Sequence, residues 1–353
     1  DRLTPDSLDL GEDAASLTEA LVMDPPGQVT EAHWNEEAKA ILGGLIMFCV
    51  CHEDRERRSL ATVREYLTLP PEKLRALLEL MQESDAANGL IARAANRFLG
   101  KADREAASVL SNAQRHTHFL DSPRIAKCLA RSDFAFSDLR HWITSVFLVL
   151  PPNRMDAYSR WLRLLVSQAL QDIARDAEAS VRPLSGPAGA QEGPQRLKTP
   201  TLFLLDEFAA LGRLEAVERA MGLMAGYGIQ LWPILQDVHQ LRALYERRAG
   251  TFLSNAGVLQ IFGVNDHDSA KLVSDLLGQE TVVFETMSRA IDSDETGISF
   301  GAQHVARPLL TPDEARTLRE DYQLLFLAGQ RPIVAAKLKY FADREFAGKF
   351  DKV

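Results

Sequence analysis

The chain has 353 residues, 46% of them hydrophobic and 25% charged, the composition of an ordinary folded protein with room for two or three domains. Its 49 acidic residues outnumber 40 basic ones, and the net charge of −9 argues against a surface coated for nucleic acid while leaving room for a locally basic face. Three cysteines, Cys49, Cys51 and Cys128, are too few for a disulfide framework and point to a reducing compartment.

The first residues, DRLTPDSLDLGED, are acidic and polar, unlike a secretory leader. From about Thr30 to Trp142 the apolar residues recur at helical spacing, and no convincing strand interrupts them. The segment from Glu31 to Asp54 becomes apolar all round in its middle, as a buried helix does. Its apolar run, Ala40 to Cys51, is about a dozen residues, short of the roughly 20 that a membrane-spanning helix needs. The expectation is a soluble chain. Leu69–Ser84 opens on prolines, which a first helical turn accepts.

At Ile143–Pro151 the character changes. ITSVFLVLP is β-rich and bounded by Pro-Pro, which predicts a buried strand. An amphipathic helix is predicted over Arg154–Asp176. Residues 177–199 are rich in Pro, Gly and Gln and read as an exposed loop. Strand and helix signals then alternate: strands at TLFLLD (from Thr201), IQLWPILQ (from Ile229), GVLQIFG (from Gly257) and ETVVFET (from Glu280), with helices between them. Such alternation predicts a largely parallel α/β sheet. Residues 287–306 are polar and read as a mobile loop; Tyr322–Phe341 reads as a hairpin.

The strand at Thr201 runs into Asp206 and Glu207. Buried carboxylates are costly unless paired, hydrogen-bonded or held by a metal. In an open α/β sheet, ligands sit beyond the carboxyl ends of the strands. A carboxylate there can hold Mg²⁺ through its water shell, and a second can polarise an attacking water. This is the shape of a Walker B element. Taken alone, the pair fits better a strand that ends at a surface turn with two solvated acids, because short motifs match often by chance. The following strand ends in Gln236, 29 residues after Glu207, where an amide suits a sensor of a terminal phosphate or its water. A helix N-terminal hydrogen bond is the other reading of Gln236.

The run from Leu204 to Asp266, LLDEFAALGRLEAVERAMGLMAGYGIQLWPILQDVHQLRALYERRAGTFLSNAGVLQIFGVND, resembles the central ATPase region of the TraG-type coupling proteins of type IV secretion and conjugation. The stretches around CHEDRERRSLATVREYLTLPPE and RAANRFLGKADREAASVLSNAQRHTHFLDSPRIAKCL resemble that family's all-alpha domain, and RPLLTPDEARTLREDYQLLFLAGQRPIVAAKLKYFAD resembles its C-terminal hairpin. The resemblance implies an α/β fold, a RecA-like P-loop NTPase sheet incomplete at its N-terminal side, with an inserted all-alpha domain. It implies an N-terminal segment over 1–29 that is a remnant of the nucleotide-binding domain, the all-alpha domain over 30–142 and the nucleotide-binding domain over 143–353. It further implies a hexameric ATPase at the cytoplasmic face of the bacterial inner membrane. That enzyme would use ATP and Mg²⁺ to hand relaxase-bound single-stranded DNA, or effector proteins, to a secretion channel. Carried over by position, Asp206 is the metal-side and nucleotide-side carboxylate, Glu207 the catalytic one and Gln236 the sensor.

One element of the pattern is missing. A P-loop needs Gly-x-x-x-x-Gly-Lys-Ser/Thr, whose backbone amides and lysine cradle the phosphates. Gly100-Lys101 precedes Ala102 among helical signals, and Gly348-Lys349 precedes Phe350 at the C-terminus, so neither fits. The expectation is that this chain alone has no appreciable ATPase activity. Two roles follow: a motor ATPase seen in part, or a non-catalytic adaptor that recruits substrate.

A trans-acting arginine would neutralise charge in phosphoryl transfer. Its candidates are Arg213, Arg219, Arg247 and Arg248, with solvated helix ends as the bland alternative for the last two. Cys49-Val50-Cys51-His52 offers metal-binding types but no second ligand pair, and helix packing is the expected reading. The basic clusters Arg55–Arg58 and Arg115–His118 read as solvated helix faces, with DNA contact as the alternative. Asn265 or Asp266 is expected to cap the helix that follows.

Overall fold

The computed structural model describes residues 3–23, 29–179, 200–289 and 298–351. The chain forms two compact units, residues 1–235 with 244–246, and residues 236–243 with 247–353. The loop expected over 177–199 falls outside the described residues from 180 onward; 177–179 are helical.

The first unit opens with α1 (Leu10–Leu21) and α2 (Val29–His52), followed by α3 (Leu60–Leu67), α4 (Pro71–Gln82), α5 (Leu90–Leu99), α6 (Asp103–Thr117) and α7 (Pro123–Cys128). The all-round apolar stretch of α2 makes it the hub of a bundle. Leu42, Leu45, Ile46 and Phe48 are buried, and α1, α3, α5 and α6 pack around them. Close approach is built into α2 at Gly44, where a Cβ would come within 2.5 Å of the Ala94 Cβ of α5. Sequence punctuation sets the ends: Ser59 Oγ accepts from the Thr62 amide at the start of α3, and Pro71 opens α4 where a missing N–H costs nothing. An ion-pair cluster around the buried Glu37 ties α2 to α5 and α6: Glu37 accepts from Arg97 and Lys101, and Lys101 also holds Glu105.

Residues 143–149 correct the sequence reading. The expected buried strand is not formed: Ile143, Phe147 and Val149 are 95%, 84% and 79% exposed, and the segment has no strand partner among the described residues. β-propensity measures fit to a pleated, half-buried surface, and without a neighbouring strand it has nothing to act on. Next comes α8 (Met155–Ala179), whose apolar stripe packs on α1 and on the turn at Phe208–Leu211. Then β1 (Thr201–Leu205), α9 (Glu215–Leu223) and β2 (Ile229–Pro233) form a βαβ unit, with β1 and β2 parallel and Thr201 opposite Ile229.

The second unit contains most of α10 (Val238–Tyr245), then α11 (Ala249–Asn255), β3 (Val258–Ile261), α12 (His267–Leu277), β4 (Gln279–Arg289), β5 (Ile298–Pro308), α13 (Pro312–Arg316), β6 (Tyr322–Leu327) and β7 (Ile333–Ala336). Its sheet is antiparallel in the order β3-β6-β7, and β4-β5 form a separate antiparallel ribbon. The expected largely parallel sheet is therefore corrected: among the described residues only β1 and β2 pair in parallel. The loop expected over 287–306 is corrected too, because β4 runs to Arg289 and β5 starts at Ile298; residues 290–297 lie outside the described residues. The hairpin expected at the C-terminal end is β6–β7. The core of this unit is small, with Ala270, Val273, Ala315 and Leu324 buried together. Two caps hold its short helices: Asp266 accepts from the Ser269 amide at 2.8 Å, as expected for one of the two candidates, and Thr311 and Glu314 form a reciprocal capping box.

Candidate nucleotide site

β1 delivers Asp206 and Glu207 to the carboxyl end of a parallel strand pair, with Leu205 opposite Pro233. The main chain on either side of the acids is tied to the exit of β2. Ile234 N donates to Leu205 O (2.9 Å) and Phe208 N donates to Ile234 O (3.3 Å). Both carboxylates are exposed, and among the described residues neither has a hydrogen-bond or ion-pair partner. The strand that leads to them is not buried on both faces: Leu202 and Leu204 are 49% and 58% exposed, beside Trp232 at 48% on β2. The acids thus carry no desolvation cost that a partner must offset.

The turn that follows is built far more firmly than the acids. Phe208 is fully buried and stacks on Tyr245, with ring centroids 5.9 Å apart and 8° between planes. Burial pushes the Tyr245 phenol up to about 12, and its oxygen accepts from the Leu214 amide. Gly212 sits at φ +62°, in the region that favours glycine, and a Cβ there would lie 2.8 Å from the Met23 side chain. Arg163, 2% exposed on α8, donates through Nη1 to Leu211 O (2.5 Å) and Arg213 O (2.6 Å), and through Nε to Ala20 O (3.2 Å). One guanidinium thereby joins α1, α8 and the turn after the acids. Sequence reasoning missed Arg163, Phe208 and Tyr245. An arginine inside the apolar stripe of the α8 sequence was the available signal, since a charge on that face requires buried acceptors.

Gln236 belongs to the second unit and is exposed. Its main chain joins the start of α10, where its amide donates to Gln240 Oε1 (3.0 Å) and the Gln240 amide donates to Asp237 Oδ1 (2.9 Å). Arg213 and Arg219 lie in the first unit, at and just after the turn; Arg247 and Arg248 are exposed in the second, on the turn between α10 and α11.

The other candidates resolve into structure. Cys49 is buried, His52 Nε2 lies 2.7 Å from Ser84 Oγ and its ring stacks on Phe48, and no cluster of three metal-ligating side chains occurs among the described residues. In the basic clusters Arg57 bridges Glu53 and Glu65, and His116 is 1% exposed with Nε2 facing Asn35 Oδ1.

A βαβ unit whose first strand ends in paired acids, alongside a helical bundle, is the architecture of a RecA-like P-loop NTPase with a helical domain. Solved structures agree. The conjugative coupling protein TrwBdeltaN70 in its unbound monoclinic form aligns with a TM-score of 0.66 at 16% identity, over 92% of this chain and 68% of that one. TrwB in complex with ADP and Mg²⁺ aligns with a TM-score of 0.64 at 19% identity, over 98% and 74%. The chain belongs to the type IV secretory system conjugative DNA transfer family, whose model matches residues 5–353. It is 29% identical to a conjugal transfer protein TraG of Escherichia coli, over 93% of this chain and 54% of that protein. It is 30% identical to a protein VirD4 of Rhizobium rhizogenes, over 65% and 32%. The chain spans about half the length of the TraG relatives it matches. No helix among the described residues is long and apolar enough to cross a membrane.

Proposed function

We propose that this chain carries the water-activating side of the nucleotide site of a conjugative coupling ATPase, one that delivers relaxase-bound single-stranded DNA or effector proteins to a type IV secretion channel. The observation that carries the reading is the placement of Asp206 and Glu207, exposed and without a side-chain partner among the described residues, at the carboxyl end of a strand in a parallel pair, where α/β sheets receive ligands. Two free carboxylates fit the chemistry of an Mg²⁺ site held through water. Asp206 would hold the ion's water shell, and Glu207 would orient the attacking water and take its proton. Bound Mg-ATP supplies the phosphoryl group whose hydrolysis drives transport. Gln236 follows the β2 exit in sequence and acts as the sensor amide; Arg213, Arg219, Arg247 and Arg248 supply the candidates for a trans cation in a homo-hexamer at the cytoplasmic face of the inner membrane. TrwB, whose fold is shared, is known in complex with ADP and Mg²⁺.

The residues present do not fit the phosphate-holding side, since neither Gly-Lys pair has the P-loop spacing. The purified chain alone is therefore expected to show no Mg-dependent phosphate release. The test is Glu207→Gln in the gene as it stands, with transfer frequency from donor cells as the readout. Loss of a positioned general base lowers turnover by about 10²–10⁴-fold, and transfer should fall in that range. Normal transfer by the variant, when deletion of the gene abolishes transfer, would overturn the reading. That outcome would favour the adaptor role, in which the protein recruits substrate without hydrolysis.

A further inference from the structure

Glu207 is exposed, and among the described residues no side chain holds its carboxylate. Its position is therefore set by its main chain. That main chain runs directly into a single tight turn, Phe208–Leu211, in which Ala210 N donates to Glu207 O and Gly212 N donates to Ala209 O, both at 3.0 Å. Phe208, buried against Tyr245, seats the near end of the turn.

The far end is gripped by helices outside the strand pair. Arg163 Nη1 of α8 donates to Leu211 O (2.5 Å) and to Arg213 O (2.6 Å), one on each side of Gly212, where the chain bends at φ +62°. Its Nε donates to Ala20 O (3.2 Å) in the last turn of α1. Met23, just past α1, packs on the same bend, since a Cβ on Gly212 would lie 2.8 Å from its side chain. Asp13 fixes α1 to α8 in turn, accepting from Arg175 Nη1 at 3.0 Å and from Arg175 Nη2 at 2.5 Å. A cation is a costly way to fill an apolar stripe, and a well-packed apolar side chain often serves stability as well or better. What an apolar side chain lacks is the power to hold carbonyls of three residues, on α1 and on both sides of a bend, in one fixed plane.

We propose that Arg163 is a positioning residue for the nucleotide site: it fixes Glu207 through the far end of the turn and takes its own place from α1. The proposal rests on the reading of Glu207 as the water-activating carboxylate. The planar fork is what matters, because lysine gathers its donors on one atom at the end of a flexible stem. Displacement of a catalytic group by about 1 Å can cost about 10²-fold in rate, which sets the size of the expected effect.

The test has two arms. In the first, hydrogen exchange is measured on the purified full chain. Arg163→Met should speed exchange of the Ala210 and Gly212 amides by at least about tenfold, while the amides of Leu45 and Ile46 in α2 keep their rates. Unchanged exchange in the turn, or equal acceleration at both places, would overturn the clamp. In the second, transfer frequency is measured from donor cells at matched protein level, with Arg163→Met, Glu207→Gln and the double variant. Arg163→Met should lower transfer about 10²-fold in the natural background and by less than about twofold in the Glu207→Gln background, since residues that act as a unit are not additive. The same factor in both backgrounds would make Arg163 a merely structural residue and sink the proposal. Arg163→Lys keeps the charge and covers the case in which Arg163→Met folds poorly; it should also lower transfer at least about tenfold, and full transfer by it would show that charge alone suffices. Normal transfer by Glu207→Gln would instead remove the catalytic reading underneath, with exchange still deciding whether Arg163 holds the turn.

Discussion

Glu37 on α2 is 7% exposed, and three bonds converge on it: Arg97 Nη2 at 2.7 Å, Arg97 Nε at 3.0 Å and Lys101 Nζ at 2.9 Å. The Arg97 hydrogen bonds outweigh desolvation and, with help from Lys101, hold the carboxyl down from 4.5 to about 2. A fall of that size on folding is worth about 3 kcal/mol to the charged form. Arg97 is half in solvent, which screens part of the interaction and leaves about 2–3 kcal/mol. The folded-state value lies below the unfolded one, so this stability is fully present above about 4.5 and disappears as pH falls through about 2. At pH 3 about three-fifths of it should be gone. We expect Glu37→Gln to lower the free energy of unfolding by about 2–3 kcal/mol at pH 7 and by about 1 kcal/mol at pH 3, with an unchanged denaturant slope. Urea melts of both proteins across that range provide the measurement. An equal deficit at the two pH values would refute the charge argument and make Glu37 a packing residue.

The aromatic pair behind the acids is the next target. Phe208→Ala should cost about 3–5 kcal/mol, as for a large side chain lost from a core, and should let the Tyr245 phenol titrate closer to its ordinary range in an ultraviolet titration. A Tyr245 titration unmoved by the substitution would show that Phe208 does not seal that pocket. The exposed segment at 143–149 leads to a different expectation. Purified protein should bind a hydrophobic dye and self-associate with concentration, and replacing Ile143, Phe147 and Val149 by threonine should suppress both with little change in the urea midpoint. A collapsed midpoint in that triple variant would mean that the three side chains pack against the first unit.

Much of the first unit was legible from residue order. The apolar middle of α2, the proline start of α4 and the five-residue run into Asp206–Glu207 each became the element they predicted, because periodicity and caps act locally. The failures share a cause. The 143–149 run had the composition of a strand but no partner, and the end of β4 with most of β5 looked like a loop because that part of the ribbon is polar in sequence and has no apolar alternation to advertise it. Strand direction was also beyond reach: β3 and β6 have the same kind of apolar pattern as β1 and β2, yet they run antiparallel.

For the candidate site, the sequence by itself determined where the acids lie, since an apolar strand that stops at Asp206–Glu207 places them at a strand's carboxyl end. Only the tertiary structure decided that those acids stand in solvent, without side-chain partners among the described residues. It alone showed that Arg163 pins the turn behind them. The physical reason is distance along the chain: Arg163 meets its carbonyl partners on Leu211 and Arg213 some 50 residues away, a contact that no local period or propensity encodes.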